Sequence, residues 1–186
     1  MPFLSFATKL QAARLAKSIT RVTALKMYRK QLSRFHKNQA GKDIIITQRN
    51  VAIGTDDSWF NAQEIERNPS WVQVPNARYV WNSRDLGSEM AVISKRFTLS
   101  SRRSIRSGSL LLSVDNYAIV IINGHFVVYD TPQENASYFN PGRTFNVKQF
   151  LQKGKNDIVI IAFNFGGRRT AEKPAGVAAE LTIRQT

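Results

Sequence analysis

The chain has 186 residues, with 27 Lys or Arg against 13 Asp or Glu, a formal net charge of +14, and no cysteine. Disulfides, a thiol nucleophile and a thiolate metal site are thereby excluded, and two histidines, His36 and His125, are too few for a multi-histidine zinc centre. No stretch reaches the roughly eighteen apolar residues that a membrane-spanning helix requires, and the length is that of one domain able to bury a core without covalent staples.

The charge is unevenly placed. Residues 1–42 hold ten Lys or Arg and no acid, which leaves a nearly balanced body at 43–186. The arm reads as helical. From Ala24 to Lys37, Leu25, Tyr28, Leu32 and Phe35 are spaced to form one face, while Lys26, Lys30, Arg34 and Lys37 fall on the opposite one. Arg14, Lys17, Arg21 and Arg29 add to the cationic surface. Residues 6–19 are good helix formers without a clean apolar face, and the hydroxyl and β-branched run from Ser18 to Thr23 predicts a break. The basic, acid-free composition is also that of an organelle transit peptide; the reading adopted is a retained arm. Such a helix can pack on its own domain, sit in a partner's groove, lie on an anionic surface or neutralise nucleic-acid phosphates.

After the stretch KNQAGK the pattern turns strand-like, which puts the boundary at residues 38–43. Strands are expected at Ile44–Thr47, Tyr79–Trp81, Ala91–Leu99, Ser109–Val114, Ala118–Ile122, Phe126–Tyr129, Thr144–Val147, Asp157–Phe163 and Val177–Ile183. Short strands with turn residues between them indicate an antiparallel sandwich. In AIVIINGHFVVYD, Asn123-Gly124 joins two apolar runs as a type I′ hairpin turn. A turn is expected at Lys153 to Asn156, a one-turn helix at Lys148–Leu151, and exposed loops at Ser100–Ser109 and Gly166–Lys173.

The motifs of catalysis are missing. No pair of carboxylates is marked by its context for glycoside hydrolysis, no G-x-S-x-G surrounds Ser104, Ser107 or Ser109, and Gly166-Gly167 lacks the Lys-Ser/Thr ending of a phosphate loop. Binding chemistry is better represented. Trp71, Tyr117 and Tyr138 would supply flat faces for a sugar ring, with Asn82 and Arg84 as hydrogen-bond donors. Trp71, in a Pro-containing loop, is expected to be exposed, whereas Trp59 and Trp81 are expected to plug the core.

The succession TDDSW (55–59), NPSWVQVPNARYVW (68–81), KRFTL (95–99), SVDNYAIVIINGHFV (113–127), FNVKQFLQKGKNDIVIIAFN (145–164) and AGVAAEL (175–181) resembles the galactose-binding-like β-sandwich, in particular the accessory sandwich domains of bacterial rhamnosidases and related glycosidases. It spans about residues 45–185 and none of the arm. Asp115, Asn123, Gly124, Gly154, Asn156 and Gly176 keep the order and spacing of that pattern; most serve turns, and Asp115 most simply caps the loop between two strands. The resemblance implies a mainly β, jelly-roll-type sandwich. Its members bind glycans, act as spacers or serve as attachment modules, so it does not by itself fix a function. It also admits a structural Ca²⁺, to which Thr55, Asp56 and Asp57 would contribute oxygens.

The leading expectation is a non-catalytic structural or attachment protein, docked by its basic helical arm among the other protein subunits of a large assembly such as a virion capsid. The alternative is a carbohydrate-binding protein recognising glycans through the loop aromatics. A third reading is nucleic-acid binding by the arm, with the steep salt dependence that counterion release entails.

Overall fold

The computed structural model describes residues 19–38, 43–130, 140–165 and 167–186. Among the described residues, one α-helix, α1 (Arg21–Asn38), precedes eleven strands: β1 (Ile44–Ile45), β2 (Asn50–Gly54), β3 (Ala62–Glu64), β4 (Val80–Asn82), β5 (Met90–Leu99), β6 (Ile105–Asp115), β7 (Tyr117–Ile122), β8 (His125–Tyr129), β9 (Asn140–Asn146), β10 (Gly154–Phe163) and β11 (Gly176–Gln185). They form two sheets, ordered β1-β5-β10-β7-β8 and β3-β4-β11-β6-β9, with β2 also paired to β11. The mainly β sandwich expected from the sequence is therefore the observed fold. Pairing is antiparallel except at β1, which runs parallel to β5 with Ile44 opposite Phe97.

Alternating residues of both sheets face each other across the core, among them Ile93 and Phe97 of β5, Ile158 and Ile160 of β10, Leu110 and Leu112 of β6, and Leu181 and Ile183 of β11. Trp59 and Trp81 plug it as expected. At the β7–β8 hairpin Asn123 and Gly124 take φ of 49° and 81°, the positive values that a type I′ turn demands and that Asn-Gly adopts most readily. The turn is held by Asn123 Nδ2, which donates to Phe150 O and Asn156 Oδ1, both at 2.8 Å.

The middle of the first sheet, β7 and the second half of β10, is buried on both faces. Every residue of β7 is buried, because Ala118, Val120 and Ile122 face the core while Tyr117, Ile119 and Ile121 join Val159, Ile161 and Phe163 of β10 under the helix. Strands covered on both sides read as continuous apolar runs, which accounts for AIVII and DIVIIAF.

Helix α1 begins where the break was expected. Thr20 Oγ1 accepts the Thr23 N–H at 3.2 Å, a cap for one of the free donors of the first turn. The apolar side of the helix, read as a surface for a partner, lies on this chain's own sheet instead: Tyr28 and Phe35 are buried, and Leu25 and Leu32 half-buried against it. Phe35 meets Phe60 edge-on at 5.6 Å, and Tyr129 donates from its hydroxyl to Ile19 O at 2.6 Å. The sheet's outer face, apolar in every second residue, supplies the partner that the stripe needs. Arg21, Lys26, Arg29, Lys30, Arg34 and Lys37 stay exposed. Arg14 and Lys17 lie outside the described residues.

Two other expectations are corrected. The stretch Ser100–Ser109 is a loop only at its start, since pairing with β11 extends β6 back to Ile105. Asp115, expected only to cap the loop between two strands, ends β6 as a largely buried carboxylate that also accepts from Trp71 Nε1 at 3.0 Å.

Candidate functional site

The aromatic platform expected from the sequence is not a surface. Trp71 is 3% exposed, tilted against Tyr79 with ring centroids 4.8 Å apart over the outer face of the second sheet. Its loop turns inward because Asp115 offers the indole an acceptor and because the Arg67 guanidinium holds the Trp71 carbonyl. The fit is close: a Cβ on Gly176 would meet the indole at 2.7 Å. Tyr117 is 1% exposed, under α1 and edge-on to Phe165. Tyr138 lies outside the described residues. Burial pushes the Asp115 carboxyl up to about 6, against the opposing pull of the hydrogen bonds from Trp71 and Asn116.

Asn82 and Arg84 have a different setting. Where α1 crosses the start of β5 it leaves a cleft of about 410 Å³, lined by Met27, Lys30, Gln31 and Arg34 of the helix, by Asn61, by Asn82 at the end of β4, by Arg84 and Ser88 of the β4–β5 connection, and by Met90 and Val92. Its polar groups are held in place from behind. Gln31, 3% exposed, donates from Nε2 to Val92 O at 2.9 Å and to Ser94 Oγ at 3.3 Å, and its Oε1 accepts from Asn61 Nδ2 at 3.0 Å. Asn61 has φ of 64°, a left-handed conformation that Asn tolerates better than most residues. Asn82 donates to Met90 O at 3.3 Å and accepts from the Arg84 N–H at 3.1 Å. The Ser88 carbonyl is fixed by Trp81 Nε1 at 2.8 Å.

The lining of this cleft is polar and cationic around an apolar patch. It offers amide groups, one hydroxyl, an apolar patch of Met27, Met90 and Val92, and three cations, without a carboxylate, histidine or activated nucleophile among the lining residues. Among the described residues, Lys30, Arg34 and Arg84 take part in no ion pair; the pairs present are Arg96–Asp43, Arg143–Asp130 and Arg168–Asp85.

A second cleft, of about 600 Å³, adjoins the first at Asn61 and contains Lys95 and Ser58. Lys95 Nζ donates to Ser58 O at 3.0 Å and to Ser58 Oγ at 2.7 Å, while the Ser58 hydroxyl donates to Asp56 Oδ1. Burial lowers the Lys95 pKa and the Asp56 charge opposes the shift. The lysine clamps the Asp56–Ser58 turn, and the serine proton is directed at a carboxylate that already accepts the Ser58 N–H at 2.8 Å. Asp57, read as an oxygen donor to Ca²⁺, accepts the Glu64 N–H. Among the described residues no three His, Cys, Asp or Glu converge to hold a metal ion.

Sequence reasoning missed Gln31, Asn61 and Ser88 and assigned Lys30 and Arg34 to a partner surface. The signal for Gln31 was present: it falls three residues after Tyr28 and four before Phe35, a polar side chain on the stripe that the helix buries. Asn61 and Ser88 sit in short connections with no periodic pattern.

No family model matches the chain, and no curated protein matches it. Solved structures similar to it include an α-L-rhamnosidase from Dictyoglomus thermophilum, 15% identical over 71% of this chain with a TM-score of 0.40. A family 35 carbohydrate-binding module from an environmental isolate is 18% identical over 72% of this chain and 92% of the module, with a TM-score of 0.40. One from Clostridium thermocellum is 16% identical over 72% of this chain and 98% of the module, with a TM-score of 0.35. This chain spans 16% of the length of the rhamnosidase and 9% of that of a β-D-mannosidase it also matches.

Proposed function

We propose that the chain is a non-catalytic carbohydrate-binding protein whose site is the cleft between α1 and the β4–β5 connection. The observation that carries this reading is the set of braced amides, Gln31, Asn61 and Asn82, beside an apolar patch in a cleft without an acid-base pair. Sugars present vicinal hydroxyls that both donate and accept, which amides match, and C–H faces that apolar side chains cover. The packing of α1 on its own sheet removes the unsatisfied apolar stripe that motivated docking into a large assembly.

The test is a soluble oligosaccharide panel titrated against the full chain and against Asn82→Ala. Binding of at least one saccharide that weakens about tenfold in the variant is expected, the order of a lost buried hydrogen bond or two. Saccharide binding that is unchanged in Asn82→Ala would place the site elsewhere, and no binding to any saccharide would refute the reading.

A further inference from the structure

The charge of the cleft narrows its ligand. Lys30 and Arg34 stand four residues apart on α1, on neighbouring turns of one helix face, and Arg84 approaches from the β4–β5 connection. All three are exposed, none is in an ion pair among the described residues, and no acid lines the cleft to neutralise them. The carboxylate of Asp85, the neighbour of Arg84, is taken by Arg168 Nη2 at 3.1 Å. Three uncompensated cations around a cleft of this size exceed what one anionic group would neutralise. Guanidinium and ammonium groups bind sulfate and carboxylate oxygens by charge-assisted hydrogen bonds.

We propose that this cleft takes a saccharide segment carrying more than one anionic group, sulfate or carboxylate, with Lys30, Arg34 and Arg84 on the anions and with Asn61 and Asn82, the first braced from behind by Gln31, on the ring hydroxyls. The inference rests on the carbohydrate-binding reading and specifies the ligand class. A polynucleotide is disfavoured by the cleft, which presents braced amides and no exposed aromatic ring for a base to stack on.

The experiment is calorimetric titration of the full chain with a heparin hexasaccharide, a hyaluronan hexasaccharide, neutral mannohexaose and a single-stranded oligothymidylate. It is repeated with Arg84→Gln, Arg34→Gln and Lys30→Gln, and with the control Lys26→Gln/Arg29→Gln, which removes two exposed helix cations outside the cleft. An acidic saccharide is expected to bind at least about tenfold more tightly than mannohexaose, each cleft variant to lose about fivefold or more, and the control to stay within about twofold. Heparin binding without hyaluronan binding assigns sulfate; equal binding assigns the carboxylate. Mannohexaose binding as tightly as the acidic sugars, and still sensitive to Asn82→Ala, overturns the anionic ligand and leaves the saccharide site standing. No saccharide binding at all overturns both. Oligothymidylate binding as tightly as heparin, or the control losing as much as the cleft variants, reduces the effect to the general positive charge of the protein and overturns the proposal.

Discussion

The Tyr28 hydroxyl on α1 donates a 2.6 Å hydrogen bond to Asp157 Oδ1 on β10, joining residues 129 positions apart. It ties the helix to the sheet, one turn before Gln31 binds Val92 O and Ser94 Oγ at the cleft. Burial raises the Asp157 carboxyl above its ordinary range, and the Tyr28 bond is the largest effect opposing that rise. Tyr28 is itself raised, first by burial and then by its acidic partner. Tyr28→Phe is expected to cost about 1–3 kcal/mol in urea unfolding, the range for stranding a buried polar group, and to raise the Asp157 pKa further, readable by NMR titration.

The Asp115 carboxyl titrates near 3.8 when unfolded and at about 6 when folded. Between those values the folded state holds the proton and the unfolded state does not. The stability it contributes is therefore fully present below the lower value and is lost as pH rises through the upper one. Relative to Asp115→Asn, the wild-type chain is expected to lose on the order of 2–3 kcal/mol across that window. Urea midpoints measured in steps through it check the slope.

Trp71→Ala is expected to destabilise the fold by about 3–5 kcal/mol, as for other large buried aromatics, while the protein that remains folded binds saccharide with unchanged affinity. A loss of affinity without loss of stability would return Trp71 to the surface role that its burial denies it.

Gly124→Ala places a Cβ at φ of 81°. With nothing within 4 Å of that Cβ, the expected cost of about 1–2 kcal/mol comes from the backbone alone, and thermal unfolding measures it.

The parts legible in the sequence were those decided by neighbours in the chain. Asn123-Gly124 dictates its hairpin through the φ angles it allows, and the apolar runs of β7 and β10 announce strands. The same runs also said that the middle strands of one sheet are covered on both faces, and the apolar stripe of α1 was a surface that could cover them. Joining those two facts would have placed the helix. Trp71 was misread because its neighbours Ser70 and Val72 describe a loop, whereas its burial is decided by Asp115, 44 residues away. β2 (NVAIG) and β3 (AQE) carry too few apolar positions to show a period; their pairing to β11 and β4 is imposed by the strands already in place. The cleft was half legible: Asn82 and Arg84 were selected for their chemistry, but the helix that completes the cleft arrives from more than forty positions earlier.

The most direct measurement is a ¹H–¹⁵N NMR titration of the full chain with the saccharide that binds best in the panel, following the side-chain amides of Gln31, Asn61 and Asn82. A binding site in the cleft shifts these three resonances together with the Arg84 backbone amide, at one common saturation curve. Saturable shifts confined to other parts of the sandwich, with these amides unmoved, would contradict it.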